Sequence, residues 1–337
     1  MRRFLRVAGG VLLVVVAIGA LAWLRWVRVP PFEAPPVSGT LEEGSLRVDG
    51  RERRFAVYVP HAVAAAPALV FVLHGSMGDG AMARSQTWHA FEPIADREGF
   101  LVVYPDGWER HWNGCRAAAP YAANTEDVDD VAFLEALVAR LRAERGVDAA
   151  RVFATGLSNG GHMAYRLALE APERFAAVAP IAASLPSDAN LGCEKSGRPA
   201  AVLVVNGTAD PMNPYEGGEA ALYGIIASRG DVRSTDDTVE YFAGLAGHRD
   251  PPRVHAFPDV APDDDSTAEL SVWEDGPGPP VALLRLEGGG HNVPHPRGRF
   301  PRFLGPTNAD IDAAEEIWRF FEAAAAVSSR PAAPPGT

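Results

Sequence analysis

A serine with glycine two residues away on either side, Gly156-Leu157-Ser158-Asn159-Gly160, follows the apolar run 151–154 (RVFA) and opens a helical pattern. A hydroxyl is a weak nucleophile and attacks a carbonyl only when an imidazole takes its proton and a carboxylate orients that imidazole. Asp210 suits the carboxylate, in Asn206-Gly207-Thr208-Ala209-Asp210-Pro211 after the run AVLVV; Asp236, Asp237 and Asp259 are rivals, and capping a turn is the bland alternative for Asp210. His291 suits the base, after VALLRL and Gly288-Gly289-Gly290, with His295 as its rival; surface or packing roles suit His162 and His111 better. Acyl transfer also needs two N–H groups aimed at the developing oxyanion. Asn159 supplies one, and Gly75 or Ser76 of Leu73-His74-Gly75-Ser76 the other, with His74 shaping that loop. The chemistry is cleavage of an acyl bond through a covalent serine intermediate. An ordinary glycine-rich turn gives the same five letters.

Elements must hold these residues together. Residues 54–59 alternate as a half-exposed strand, and 68–73, 101–104, 151–154, 177–181 and 201–205 are short apolar runs. Continuous apolar strands suit a parallel sheet covered on both faces. Helical patterns over 128–144, 160–169 and 236–245 lie between them, and 281–286 and 310–324 give a last strand and a final amphipathic helix. Alternation of this kind predicts an α/β fold with a mostly parallel central sheet and helices on both faces. Residues 217–275, rich in Gly, Asp and Pro, read least clearly. Serine, acid and histidine in that order, each just after a strand, is the arrangement of the α/β-hydrolase fold.

The chain has 337 residues, enough for a full core, and a net charge of -12, which argues against nucleic acid as a partner. Arg2, Arg3 and Arg6 precede an apolar run over 7–24, followed by Arg25, Trp26 and Arg28. Its length favours an uncleaved membrane anchor, and Ala20-Leu21-Ala22 favours a cleaved signal peptide; both place the remainder outside the cytoplasm, periplasmic or extracellular, with this segment contacting the membrane during or after export. The expected organisation is segment 1–28, a Pro-rich spacer 29–44, a catalytic domain 45–325 and a disordered tail 326–337. The two cysteines, Cys115 and Cys193, are either one disulfide or two buried thiols, and export favours the bridge. No metal-site or phosphate-loop pattern is present, so neither metal nor organic cofactor is expected.

Residues 54–60, LHGS, YPDGW, HWNGC, VDDVAF, RVFATGLSNGGHMAYRLA, FAAVAPIA, NGTADPMNPYEGG and GGGH, in this order, resemble the polyhydroxybutyrate depolymerase family of esterases, which is related to feruloyl and acetylxylan esterases. The resemblance spans about residues 46–321. It implies Ser158 as nucleophile, Asp210 as acid, His291 as base, and work outside the cytoplasm on esters of hydroxy or aromatic acids. It also makes Cys193 the natural partner of Cys115, places Trp112 and Asn113 near the cleft, and gives Asp129 and Asp130 a structural role before a helix. Family members commonly carry Trp-Pro shortly after the catalytic histidine, where this chain has Asn292-Val293-Pro294; many also have further cysteines within the stretch matching 245–275. Those departures bear on the acyl pocket. The expected activity is hydrolysis of carboxylic esters, of hydroxyalkanoate oligomer or polyester or of acyl and feruloyl type. An acyltransferase, a peptidase and a non-catalytic surface-binding module are the alternatives on the same scaffold.

Overall fold

The computed structural model describes residues 16–17, 19–21 and 23–328. Twelve strands run in chain order: β1 (Thr40–Val48), β2 (Arg51–Val59), β3 (Leu69–Leu73), β4 (Leu101–Pro105), β5 (Val152–Leu157), β6 (Ala177–Ile181), β7 (Val202–Gly207), β8 (Gly218–Glu219), β9 (Asp231–Val232), β10 (Arg253–Ala256), β11 (Thr267–Trp273) and β12 (Val281–Glu287). Ten of them form one sheet in the order β1-β2-β4-β3-β5-β6-β7-β12-β11-β10, while β8 and β9 form a separate ribbon. The six central strands, β4 to β12 in that order, are mutually parallel; the strands outside them pair antiparallel.

The apolar runs account for the layers. Successive strand side chains point to opposite faces, so Leu69, Phe71 and Leu73 of β3 join one core while Val70 and Val72 join the other. The first core is closed by α4 (Asp130–Arg145), α5 (Asn159–Glu170) and α6 (Thr235–Ala246). The second is closed by α1 (Gly80–Gln86), α2 (Phe91–Glu98) and α7 (Ala313–Ser328); the short α3 (Ala122–Thr125) lies in a surface loop. Burying each large apolar side chain contributes about 1.5–3 kcal/mol, so the two faces together fix the sheet register. The mostly parallel central sheet with helices on both faces, expected from the alternating pattern, is the architecture observed.

Two boundaries differ from expectation, and one region gains strands. The spacer expected over 29–44 ends early, because β1 already begins at Thr40 and pairs along its whole length with β2. Asp49 and Gly50, at φ 47° and 77°, close that hairpin in two residues, the geometry that Asp-Gly favours. The end of the spacer is docked too. The Phe32 ring lies 5.1 Å from that of Trp88, and Ser38 N–H donates to Asp96 Oδ2 at 2.6 Å. At the other terminus α7 continues to Ser328, past the expected start of the tail. Finally, β10 and β11 extend the sheet where the sequence read least clearly; every residue of β10 is exposed, so no apolar run marks it.

Most of the apolar run 7–24, read as signal or anchor, lies outside the described residues. Among the described residues no helix is long and apolar enough to cross a membrane.

Candidate active site

β5 delivers the serine to one end of the sheet, and the chain turns there within a single residue. Ser158 has φ 57° and ψ -111°, a conformation that costs a non-glycine residue about 1–3 kcal/mol and is held only when its surroundings over-determine it. They do. Ser158 N–H donates to Ile181 O at 2.8 Å, and His162 N–H reaches back to Ser158 O at 2.9 Å. The flanking glycines supply space for that turn. A Cβ on Gly160 would sit 2.3 Å from Leu73 O, one on Gly156 2.6 Å from the Gly160 carbonyl carbon, and one on Gly161 2.9 Å from Ala183 Cβ. The strain therefore resides in the serine itself, and the glycines let α5 press against β3 and β5.

The loops after β7 and β12 meet at the same end. Thr208 and Ala209 N–H groups donate to Leu286 O and Gly289 O, each at 2.9 Å, and a Cβ on Gly207 would lie 2.2 Å from Gly289 O. This contact brings Asp210 to His291. The His291 Nδ1–H donates to Asp210 Oδ2 at 2.8 Å, with the two side chains only 7% and 2% exposed. Asp210 Oδ1 accepts the N–H groups of Met212 and Asn213 at 2.7 and 2.8 Å. Asp210 thus does cap a turn, and its second oxygen remains for the imidazole. His291 is braced by its own N–H to Leu304 O, at 2.6 Å. The rival acids Asp236, Asp237 and Asp259 are all exposed.

The loop after β3 packs against the serine turn: a Cβ on Gly75 would be 3.8 Å from Ser158 Cβ. Within the described residues the N–H groups of Gly75, Ser76 and Asn159 donate to no protein acceptor. They lie beside the turn, where α5 also directs its positive end. Asn159's side chain is pinned at both ends: Oδ1 accepts Trp112 N–H at 2.7 Å, and Nδ2 donates to Trp112 O at 2.9 Å. His74 is a fixed part of the loop. Its Nε2 accepts Gly107 N–H at 2.8 Å, so Nδ1 carries the proton and donates to Gly75 O at 2.7 Å. Burial pushes its pKa down to about 4, which keeps the ring neutral.

The segment facing this loop is held from behind. Cys115 and Cys193 form a disulfide. Asp129 caps α4 through Ala132 N–H at 2.8 Å. The fully buried Asp130 pairs with Arg53 at 2.6 Å and accepts Asn113 N–H at 2.8 Å; burial raises its pKa even beside that guanidinium. Two bonds near the serine had no sequence signal. Ser76 Oγ and the Tyr121 hydroxyl are 2.9 Å apart, and Arg229 Nε donates to the same hydroxyl. Arg116, next to Cys115, is 3% exposed, and its Nε and Nη2 have no partner among the described residues. Nothing in a sequence marks an arginine as buried, and Arg229 falls in the stretch that read least clearly.

Comparison with known proteins points to esterases. The sequence model of the family described as "Putative esterase" matches residues 47–230. The protein named "Putative esterase NocK", from Nocardia uniformis subsp. tsuyamanensis, is 32% identical over 303 residues, covering 86% of this chain and 85% of that one. Feruloyl esterase C of Emericella nidulans is 30% identical over 218 residues, 64% of this chain and 74% of its own. Among solved structures, an acetyl xylan esterase from Aspergillus awamori matches 84% of this chain and 99% of its own with a TM-score of 0.58 at 18% identity, a likeness of fold.

Proposed function

This chain belongs to the esterase family whose pattern it matches over residues 47–230, and from that premise we propose that Ser158, His291 and Asp210 are the triad with which it hydrolyses carboxylic esters. The observation that carries the assignment is the 2.8 Å bond between His291 Nδ1 and the buried Asp210 carboxylate, at the sheet end where Ser158 is held in its strained turn.

With Nδ1 protonated and bonded to the carboxylate, the lone pair of His291 is on Nε2. That nitrogen takes the Ser158 proton as Oγ attacks the ester carbonyl, and Asp210 stabilises the resulting imidazolium. The N–H groups of Asn159 and of Gly75 or Ser76 receive the oxyanion; being preorganised, they cost no rearrangement as the charge develops. Collapse of the tetrahedral adduct expels the alcohol, protonated by His291. Water then attacks the acyl-serine with His291 again as base, releasing the acid and restoring the hydroxyl. The substrates proposed are hydroxyalkanoate oligomers or related acyl and feruloyl esters.

The catalytic unit proposed spans about residues 40–328, β1 to α7. It works outside the cytoplasm, exported by the N-terminal apolar segment. The Cys115–Cys193 bridge supports this, since disulfides persist in oxidising compartments.

A fluorophosphonate probe is expected to label the wild type and leave Ser158→Ala unlabelled, with ester hydrolysis lost in parallel by about 10⁴-fold or more. Equal labelling of both proteins would remove Ser158 from the mechanism. A panel of hydroxyacyl, acetyl and feruloyl esters then ranks the acyl groups.

A further inference from the structure

Beside the serine turn sit two arginines with no counterion among the described residues. The Arg116 guanidinium is buried, its Nε and Nη2 are without hydrogen-bond partners, and no carboxylate lies within ion-pair distance of Arg116 or Arg229 among the described residues. Both guanidinium carbons lie near the Tyr121 ring, 5.8 and 5.9 Å from its centroid, and the His111 ring stacks on that ring at 4.0 Å. Other arginines of this acidic protein do find carboxylates, as Arg253 does with Glu274 at 2.8 Å and Arg97 with Glu315 at 2.7 Å.

The group is tied to the reaction centre by two routes. Tyr121 bonds Ser76 in the proposed oxyanion loop, at 2.9 Å. A Cβ on Gly114, two residues before Arg116, would lie 2.7 Å from Cβ of His162, which stands one helical turn after Ser158. His162 is itself buried with Nδ1 unpartnered, and burial, Arg116, His291 and Arg229 all push its pKa well down. A neutral ring there adds no further positive charge. Burial alone would raise the Tyr121 hydroxyl, but the two arginines bring its pKa below the usual phenol value.

Burying a guanidinium without acceptors is expensive, and an anion that completes it recovers that cost. We propose that Arg116 and Arg229, joined through Tyr121, form a carboxylate subsite beside the oxyanion loop, so that the preferred ester carries a free carboxylate near its scissile bond. A guanidinium fork matches a carboxylate in two parallel hydrogen bonds, whereas a neutral ester of the same length leaves the fork unsatisfied. This inference rests on Ser158 being the nucleophile and narrows what that serine attacks.

The experiment compares matched esters. On the acyl side, 4-nitrophenyl hydrogen glutarate is paired with 4-nitrophenyl valerate; on the alcohol side, 4-acetoxybenzoate is paired with phenyl acetate. The wild type is expected to favour one charged ester over its neutral partner by about tenfold or more in kcat/KM, chiefly through KM, and the responding pair tells which side of the substrate faces the arginines. Arg229→Gln, at a half-buried position, and Arg116→Gln should each lower that ratio about tenfold, whereas Arg253→Gln, an equal change of net charge on the far edge strand, should not move it. If Arg116→Gln does not fold, Arg229→Gln alone decides. A ratio near one in both pairs, or an unchanged ratio in Arg229→Gln, overturns the subsite. Failure of the nucleophile assignment looks different: Ser158→Ala would then still cleave 4-nitrophenyl valerate at the wild-type rate.

Discussion

His291 and His295 lie four residues apart, are equally buried at 7% exposure, and each faces an aspartate, yet their ring nitrogens are engaged in opposite ways. At His291 the Nδ1–H donates to Asp210 at 2.8 Å, leaving the Nε2 lone pair available. His295 is wired the opposite way. Its Nδ1 accepts the N–H groups of Arg297 and Gly298 at 3.1 and 2.9 Å, so the proton is on Nε2, and Asp312 stands 3.8 Å off, beyond hydrogen-bond reach. Its ring is packed between Phe32 and Trp88, at 5.3 and 5.8 Å. Burial pushes His295 down to about 4 and Asp312 up to about 6, each towards its neutral form. Residue type and burial do not separate the two pairs; what already occupies Nδ1 does.

The widest gap between the pairs should be catalytic. His291→Ala is expected to lower kcat/KM by about 10⁴-fold or more, and His295→Phe by less than about threefold per folded molecule. Comparable losses, measured on the same ester, would erase the distinction. Replacing the carboxylates sharpens it: Asp210→Asn should cost about 10³- to 10⁴-fold in kcat, because the amide cannot hold the Nδ1–H tautomer, while Asp312→Asn leaves kcat near the wild-type value.

Stability should show the reverse pattern. Asp312 has its folded pKa raised to about 6, so the folded state binds more protons than the unfolded one between that value and the ordinary carboxylate range. Its contribution is therefore most favourable in acid and falls as pH rises through about 4 to 6. Asp312→Asn, which keeps an acceptor for Ala314 N–H, should remove that slope and raise stability at pH 7 by on the order of 2 kcal/mol, read from denaturant unfolding across pH. A variant curve parallel to that of the wild type would count against the raised value. His295→Phe keeps the ring but strands two N–H donors, and the expected cost is about 1–3 kcal/mol. The smallest effect is spectroscopic: ring ¹⁵N shifts should report opposite neutral tautomers for the two histidines.

The central strands were legible because each had to bury both faces, so ALVFVL, LVVY and AVLVV stand out as unbroken apolar runs. The edges were not. β1 and β10 expose most of their residues and owe their place to pairing with β2 and β11, long-range contacts that leave no apolar signature. The alternation over 54–59 marked one strand of the first hairpin, and β1, which begins inside the expected spacer, pairs with it across the Asp49-Gly50 turn. Phe32 and Ser38 show the same limit, since their docking on Trp88 and Asp96 depends on residues far along the chain.

For the candidate site, the sequence by itself determined the alphabet and the order: a serine between a strand and a helix, then an acid, then a histidine, each after an apolar run. Those features are local, since strand burial and turn chemistry are written within a few residues. Tertiary structure alone decided which Asp210 oxygen reaches His291, and that Ser158 carries the strain while Gly156 and Gly160 supply room. It alone decided that Arg116 is buried beside Tyr121, with no counterion among the described residues. Hydrogen-bond occupancy, steric clearance and desolvation depend on atoms brought together from distant parts of the chain, so no short window of sequence contains them.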